Sequence, residues 1–240
     1  MNEHAKRQKS YPEGASMPSL PQKKTLATQI TVSVKLNYLL SLPKDYDPQQ
    51  RWPLVLFLHG ASERGNNLDQ LRCSGPPKRI EEGQDFPFLV VAPQCPQSDL
   101  WTSSGKIATL AALIDEIELN YAIDTDCIYL TGLSMGGYGT WRLAAAYPQR
   151  FAAIAPICAG NDPATANLYA MRHIPVWAFH GAKDDLVPLR AGQALVDAFK
   201  ACGGKVQFTI YPDANHDAWT ETYANPELYT WLLQHHKTTE

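Results

Sequence analysis

The 240-residue sequence has no long apolar run. Nothing in it reaches the length needed to cross a bilayer, and its first 25 residues, MNEHAKRQKSYPEGASMPSLPQKKT, contain no hydrophobic export segment. The expectation is a cytoplasmic protein that does not engage a membrane, with a secreted form trimmed of its signal as the alternative. Cationic charge is not in excess either: 21 Lys plus Arg stand against 24 Asp plus Glu, for a formal net charge of −3. The basic residues are scattered apart from a short N-terminal group, so no face for nucleic acid or anionic lipid is expected. Cysteine is sparse. Cys73, Cys95, Cys127, Cys158 and Cys202 are an odd number at irregular spacing, with no Cys-x-x-Cys pair to signal zinc or dithiol chemistry. Reduced, mostly buried thiols are expected, with no metal and no cofactor. Internal repeats and low-complexity tracts are absent, which excludes solenoids and arrays.

What is present is a polar, proline-containing stretch at 1–25, read as a disordered tail, followed by one domain at 26–240. A chain of this length buries roughly 70–75% of its unfolded surface, enough for a core without disulfides or a structural metal. TQITVSVKLNYLLSLP alternates apolar and polar residues and reads as one or two antiparallel strands broken near Lys35. Residues 53–60, PLVLFLHG, are apolar on both pleat faces, the pattern of a central strand covered on both sides. Further strands are predicted at 88–93, 127–131, 152–156, 174–180 and 206–211, and helices at 106–120, 136–147, 190–202 and 226–236, with a weaker one at 67–72. This alternation predicts an α/β fold: a doubly wound, mostly parallel sheet with helices on both faces. The segment 157–173 is too short for a large lid.

One motif stands out. Gly132-Leu133-Ser134-Met135-Gly136 follows a predicted strand and opens a predicted helix. A glycine two residues either side lets neighbouring backbone approach, and the forced turn pushes the serine hydroxyl clear of the sheet, where a nucleophile is needed. A serine hydroxyl is a poor nucleophile at neutral pH and requires a base and a group to orient that base. Open α/β sheets gather their sites at the carboxyl ends of the strands, which selects the loops Gly60–Asn67, Gly132–Gly137, Gly181–Pro188 and Pro212–Trp219.

The base should be a histidine. His4 lies in the tail, His235 and His236 at the C-terminus, and His173 precedes a strand, while His59 and His180 end strands and are read as shaping loops. His216, after the last strand, remains. The orienting acid is expected between serine and histidine, where Asp184 and Asp185 are adjacent. Asp184 is preferred because it falls at the acid position of the pattern His-Gly-x-x-Asp-x-x-Val-Pro; Asp185 suits a turn cap, and Asp162 is a further candidate in a rarer arrangement. Oxyanion donors are expected from the backbone N–H groups of Met135 and Ala61. Glu63 and Arg64 follow at once, either contacting substrate or forming a mutual salt bridge that holds the loop. Gln94, Trp101, Tyr138 and Trp219 are candidates to line a pocket, with core packing as the alternative for the aromatics.

The ordered blocks YLLSLPKDYD, WPLVLFLHGASERGNN, SGPPKRI, FPFLVVAPQCP, IYLTGLSMGGYGTW, YPQRFAAIAPICAG, PVWAFHGAKDDLVP and YPDANHDAW, together with the tract from Trp101 to Tyr121, resemble the α/β-hydrolase superfamily. Within it they resemble the dienelactone-hydrolase-like carboxylesterases, a group that includes phospholipase/carboxylesterases and predicted peptidases. The resemblance runs from Leu36 to Leu233. It implies the α/β-hydrolase fold, Ser134 as nucleophile, Asp184 as triad acid, His216 as general base, and Ala61 and Met135 as oxyanion donors. This chain departs from the common family pattern at Ser62, where glycine is usual, and at Cys73, where histidine is frequent.

The expected activity is hydrolysis of short-chain acyl esters, a small-molecule substrate, through an acyl-enzyme. Alkoxide leaves more readily than amine, and no additional domain is visible to select peptides. A small serine peptidase or thioesterase is the alternative among enzymes, and a non-catalytic binding module the alternative outside them.

Overall fold

A computed structural model of the chain describes residues 33–160 and 167–237. The tail at 1–25, the start of the first predicted strand, Asp162 and part of the 157–173 segment lie outside the described residues.

The sheet has seven strands: β1 (Tyr38–Ser41), β2 (Trp52–Leu58), β3 (Leu89–Pro93), β4 (Ile123–Leu133), β5 (Ala153–Ile157), β6 (Val176–Gly181) and β7 (Val206–Tyr211). Their order is β1-β3-β2-β4-β5-β6-β7; β1 runs antiparallel beside β3 and every other pair is parallel. The apolar run of β2 shows why. Leu54, Leu56 and Leu58 enter one core cluster and Val55 and Phe57 the other, so alternate side chains are buried on opposite faces.

Helices α2 (Ser104–Asn120), α3 (Met135–Ala146) and α4 (Leu189–Ala201) cover the first face with Leu110, Ile114, Ile117, Trp141, Leu195 and Phe199. Helices α5 (Trp219–Ala224) and α6 (Pro226–Leu233) bring Tyr223, Leu228, Tyr229 and Leu232 to the second, and Ile80 of α1 (Gly75–Glu81) packs against the same cluster. Complete burial of each such large side chain contributes ~1.5–3 kcal/mol.

The expected fold is therefore present, with local corrections. The predicted helix at 67–72 is a 3-10 helix, Leu68–Cys73, and β4 is longer than the predicted 127–131. The helix α1 was hidden by its opening Gly75-Pro76-Pro77, which reads as a turn. Proline in the first turn of a helix forfeits no intrahelical bond, so the same residues start a helix well.

The four loops expected to carry chemistry leave the carboxyl ends of β2, β4, β6 and β7. The loop after β4 turns directly into α3 through Ser134, which has φ 50° and ψ −117°. Gly136 permits that turn: a Cβ there would overlap the carbonyl oxygen of Leu58 at the end of β2. Gly136→Ala should therefore lower the unfolding free energy by about 3 kcal/mol or prevent folding. Gly105→Ala, where an added Cβ meets nothing within 4 Å, should be neutral or stabilise α2 by up to ~1 kcal/mol. Urea denaturation of the two variants measures both.

Candidate active site

Ser134 is fixed from both sides. Its N–H donates to the Ile157 carbonyl at 2.9 Å, and its own carbonyl accepts the first bond of α3 from the Tyr138 N–H at 3.1 Å. The half-buried hydroxyl is left facing the loop after β7, where Ser134 Oγ lies 2.8 Å from His216 Nε2. His216 Nδ1–H donates to Asp184 Oδ2 at 2.8 Å. An ionised carboxylate can only accept, so this bond sets the imidazole tautomer and leaves Nε2 to accept from the serine.

The Asp184 side chain is fully buried, and both its oxygens are engaged. Oδ1 accepts from the backbone N–H of Leu186 at 3.0 Å and of Val187 at 2.8 Å, while Oδ2 takes His216. Asp185 is exposed, and the His216 imidazole pairs with Asp184 instead. His180 braces the same loop: its Nε2 is 2.8 Å from the Val187 carbonyl and 3.4 Å from Asp184 Oδ2, which fits the loop-shaping role expected of it. Behind the pair sits Cys158, directly after β5. Its buried thiol donates to the His216 carbonyl at 3.0 Å and burial pushes its pKa up to about 12, so it is a neutral thiol.

The loop after β2 is tied down from the loop after β3. His59 Nδ1–H donates to the Gly60 carbonyl at 2.5 Å and its Nε2 accepts from the Cys95 N–H at 2.9 Å. The 3-10 helix Ala61–Glu63 begins here, as α3 begins at Met135. Residues that open a helix have N–H groups with no intrahelical acceptor, so both Ala61 and Met135 carry donors free for another use.

Glu63 and Arg64 do not form the mutual salt bridge considered from sequence. Glu63 is buried and accepts from Ser62 Oγ at 2.9 Å and from Ser74 Oγ at 2.6 Å. Arg64 instead donates to the carbonyls of Ala61 at 3.1 Å and Asp99 at 3.4 Å. The carboxylate is thus an anchor joining this loop to the start of α1, and Ser62, one of the departures from the family pattern, is one of its donors.

Two of the pocket candidates are corrected. Trp101 is fully buried and donates its Nε1–H to the His59 carbonyl at 3.1 Å, so it is a core side chain supporting the loop. Gln94 is also buried, and its Nε2 donates to the carbonyls of Glu63 and Asn67, both at 2.8 Å. The other two stay beside the serine. Trp219 is half-buried and set edge-on to His216, with ring centroids 5.2 Å apart at 87°; Tyr138 is half-buried one turn beyond Ser134. A small cavity of about 30 Å³ adjoins Trp219 and is bordered by Cys73, Ser74 and Arg79. A larger one of about 450 Å³ lies between α2 and α3. Ser134 lines neither of them.

Comparison with known proteins agrees with the fold. The Phospholipase/Carboxylesterase family profile matches residues 86–228, a span containing Ser134, Asp184 and His216 but not the loop after β2. A probable feruloyl esterase C of Aspergillus niger is 25% identical over 223 residues, covering 87% of this chain and 77% of that protein. The bifunctional acetylxylan esterase/xylanase XynS20E of Neocallimastix patriciarum is 30% identical over 186 residues, 75% of this chain but only 26% of the larger protein. Among solved structures, a thermostable esterase superposes with a TM-score of 0.74 at 34% identity, over 85% of this chain and 60% of that one.

Burial holds the pKa of His59 below the ordinary 6.5, with the Gly60 carbonyl only partly offsetting it. Such a histidine binds fewer protons folded than unfolded, so its contribution to stability is lost as pH falls through the ordinary histidine range. The unfolding free energy should drop between about pH 7.5 and about pH 5.5, and drop less steeply in His59→Gln. Urea titrations at the two pH values measure the slope, which is the readout whatever the variant's absolute stability.

Proposed function

Because the chain belongs to the phospholipase/carboxylesterase family and has the α/β-hydrolase fold, we propose that it is a serine esterase of short-chain acyl esters, with Ser134, His216 and Asp184 as its triad. The observation that carries the reading is the unbroken hydrogen-bond line Ser134 Oγ to His216 Nε2 and His216 Nδ1 to Asp184 Oδ2, each step 2.8 Å. Relatives named as feruloyl and acetylxylan esterases support an ester as substrate.

The chemistry follows from the order of proton acceptors. Ser134 attacks the ester carbonyl as its proton passes to His216 Nε2, and the imidazolium so formed is stabilised by the Asp184 carboxylate. Negative charge on the former carbonyl oxygen is met by the N–H groups of Ala61 and Met135, the latter at the positive end of the α3 dipole. His216 then returns the proton to the departing alkoxide. Water then gives a proton to His216 as it attacks the acyl carbon, and the acid departs as the bond to Ser134 Oγ breaks and Ser134 takes that proton back from His216. Ser134 borders neither of the two cavities described above, which favours small acyl groups over long chains that need a deep apolar pocket.

Ser134→Ala should lower turnover of p-nitrophenyl acetate by about 10⁴–10⁶-fold without loss of folding. Wild-type rates in that variant would overturn the assignment. In parallel assays acetyl and butyryl esters should exceed decanoyl esters, and all should exceed the matching amide and thioester; a preference for either of the latter would make the protein a peptidase or a thioesterase.

Glu63→Gln tests the loop anchor. It should reduce kcat by about 10–100-fold, less than complete loss of an oxyanion donor, with KM changed less than about twofold. Ser74→Ala should move kcat in the same direction. Steady-state kinetics on both variants separates this from a general loss of folded protein, which would scale with the amount of active enzyme titrated.

A further inference from the structure

The mechanism above makes no use of the Cys158 thiol, yet its position is built with care. Cys158 follows β5 at a positive φ of 49°, a conformation that side chains other than glycine rarely take, and it is fully buried. One sulfur, one carboxylate oxygen and one imidazole nitrogen, from Cys158, Asp184 and His216, all lie within 4.8 Å of one another. A tetrahedral zinc ion bound to such atoms at its usual lengths would hold them roughly 3.3–3.7 Å apart, so modest adjustment brings the three into ligand geometry.

We propose that Cys158, Asp184 and His216 form an inhibitory site for a thiophilic divalent cation, Zn²⁺ or Cd²⁺, which switches off Ser134 by taking the Nδ1 face of His216. This rests on the reading of His216 as the general base. The ligand set mixes sulfur, nitrogen and oxygen, which suits zinc and cadmium and disfavours calcium or magnesium, whose ligands are oxygens. Charge balances as well: one thiolate and one carboxylate neutralise one dication, so no net charge is left in a buried site.

The proton accounting explains the inhibition. In the free protein Nδ1 carries the imidazole proton and Nε2 accepts from Ser134. A cation on Nδ1 needs that nitrogen's lone pair, so the neutral ring must carry its proton on Nε2 instead. The Cys158 thiol proton leaves to solvent, one proton is released per cation bound, and no electrons are transferred. Nε2–H then points at Ser134 Oγ as a donor, and the serine has no base.

The test uses the full-length protein with zinc chloride in the esterase assay and cadmium chloride in ultraviolet absorption. Zn²⁺ should inhibit wild type in a manner reversed by a chelator. Cys158→Ser, which retains a hydroxyl to reach the His216 carbonyl, should need at least tenfold more zinc for the same fractional loss of its own metal-free rate. Cys127→Ala should respond as wild type does; it removes another buried cysteine whose thiol lies 3.0 Å from an imidazole, that of His236. In Ser134→Ala protein, Cd²⁺ should produce a thiolate-to-metal charge-transfer band that is absent when Cys158→Ser is added. Equal zinc sensitivity of wild type and Cys158→Ser, or a cadmium band unaffected by loss of Cys158, overturns the proposal. Because the cadmium band needs no turnover, a protein that binds cadmium through Cys158 but hydrolyses no ester would refute the proposed function while leaving the metal site standing.

Discussion

The backbone of Ser134 is the constraint on which the rest depends. At φ 50° and ψ −117° it sits where a side-chain-bearing residue costs ~1–3 kcal/mol, and it persists because its surroundings leave no alternative. Upstream, β4 is hydrogen-bonded to β2 on one side and β5 on the other and cannot shift register. Downstream, α3 is pinned to the first core cluster by Trp141, Leu143 and Ala144. A strand and a helix fixed independently can meet over so few residues only through a sharp turn. The hydroxyl is thereby held clear of the sheet without any contact of its own having to hold it there.

Around that turn, the carboxylates of Asp184 and Glu63 and the imidazole of His59 are each satisfied from within the loops, whereas Gln94 Oε1 and His180 Nδ1 are buried with no hydrogen-bond partner among the described residues. Asp184 takes two backbone N–H groups besides His216, Glu63 takes two serine hydroxyls, and His59 bridges Gly60 and Cys95. Leaving one such buried group unsatisfied would cost ~1–3 kcal/mol, so these bonds specify one loop geometry among many. Orientation of the Asp184–His216 pair is consequently decided before substrate arrives, which is the preorganisation that electrostatic catalysis requires. The same pair, with Cys158 behind it, is also what a thiophilic cation would find already assembled.

The fold and the serine–histidine–aspartate line were legible in the sequence because each rests on a repeating or local signal. Two-sided apolar strands such as β2 mark a covered parallel sheet, and the sheet's chemistry collects at one edge. The roles of Glu63, Gln94 and Trp101 were not legible, because their partners are distant in sequence. Glu63 bonds Ser74 eleven residues on, and Gln94 bonds the carbonyl of Glu63 across 31 residues. Pairing Glu63 with Arg64 treated neighbours in the chain as neighbours in space; at the end of the 3-10 helix their side chains take different partners, one the hydroxyls of Ser62 and Ser74 and the other the carbonyls of Ala61 and Asp99. Trp101 looked equally suited to a pocket or a core, and only the His59 carbonyl receiving its indole N–H decides between them. Cys158 had a signal that could have been used: it stands at the carboxyl end of a predicted strand, the same edge that carries the other loops.

The central claim is that Ser134 is an activated nucleophile. Reaction of the folded protein with a fluorophosphonate, followed by mass analysis of its peptides, tests this most directly. The account predicts a single phosphonyl adduct, on the peptide containing Ser134, and its loss when the protein is unfolded first. A folded protein that remains unmodified, or that is modified at another residue, would contradict it.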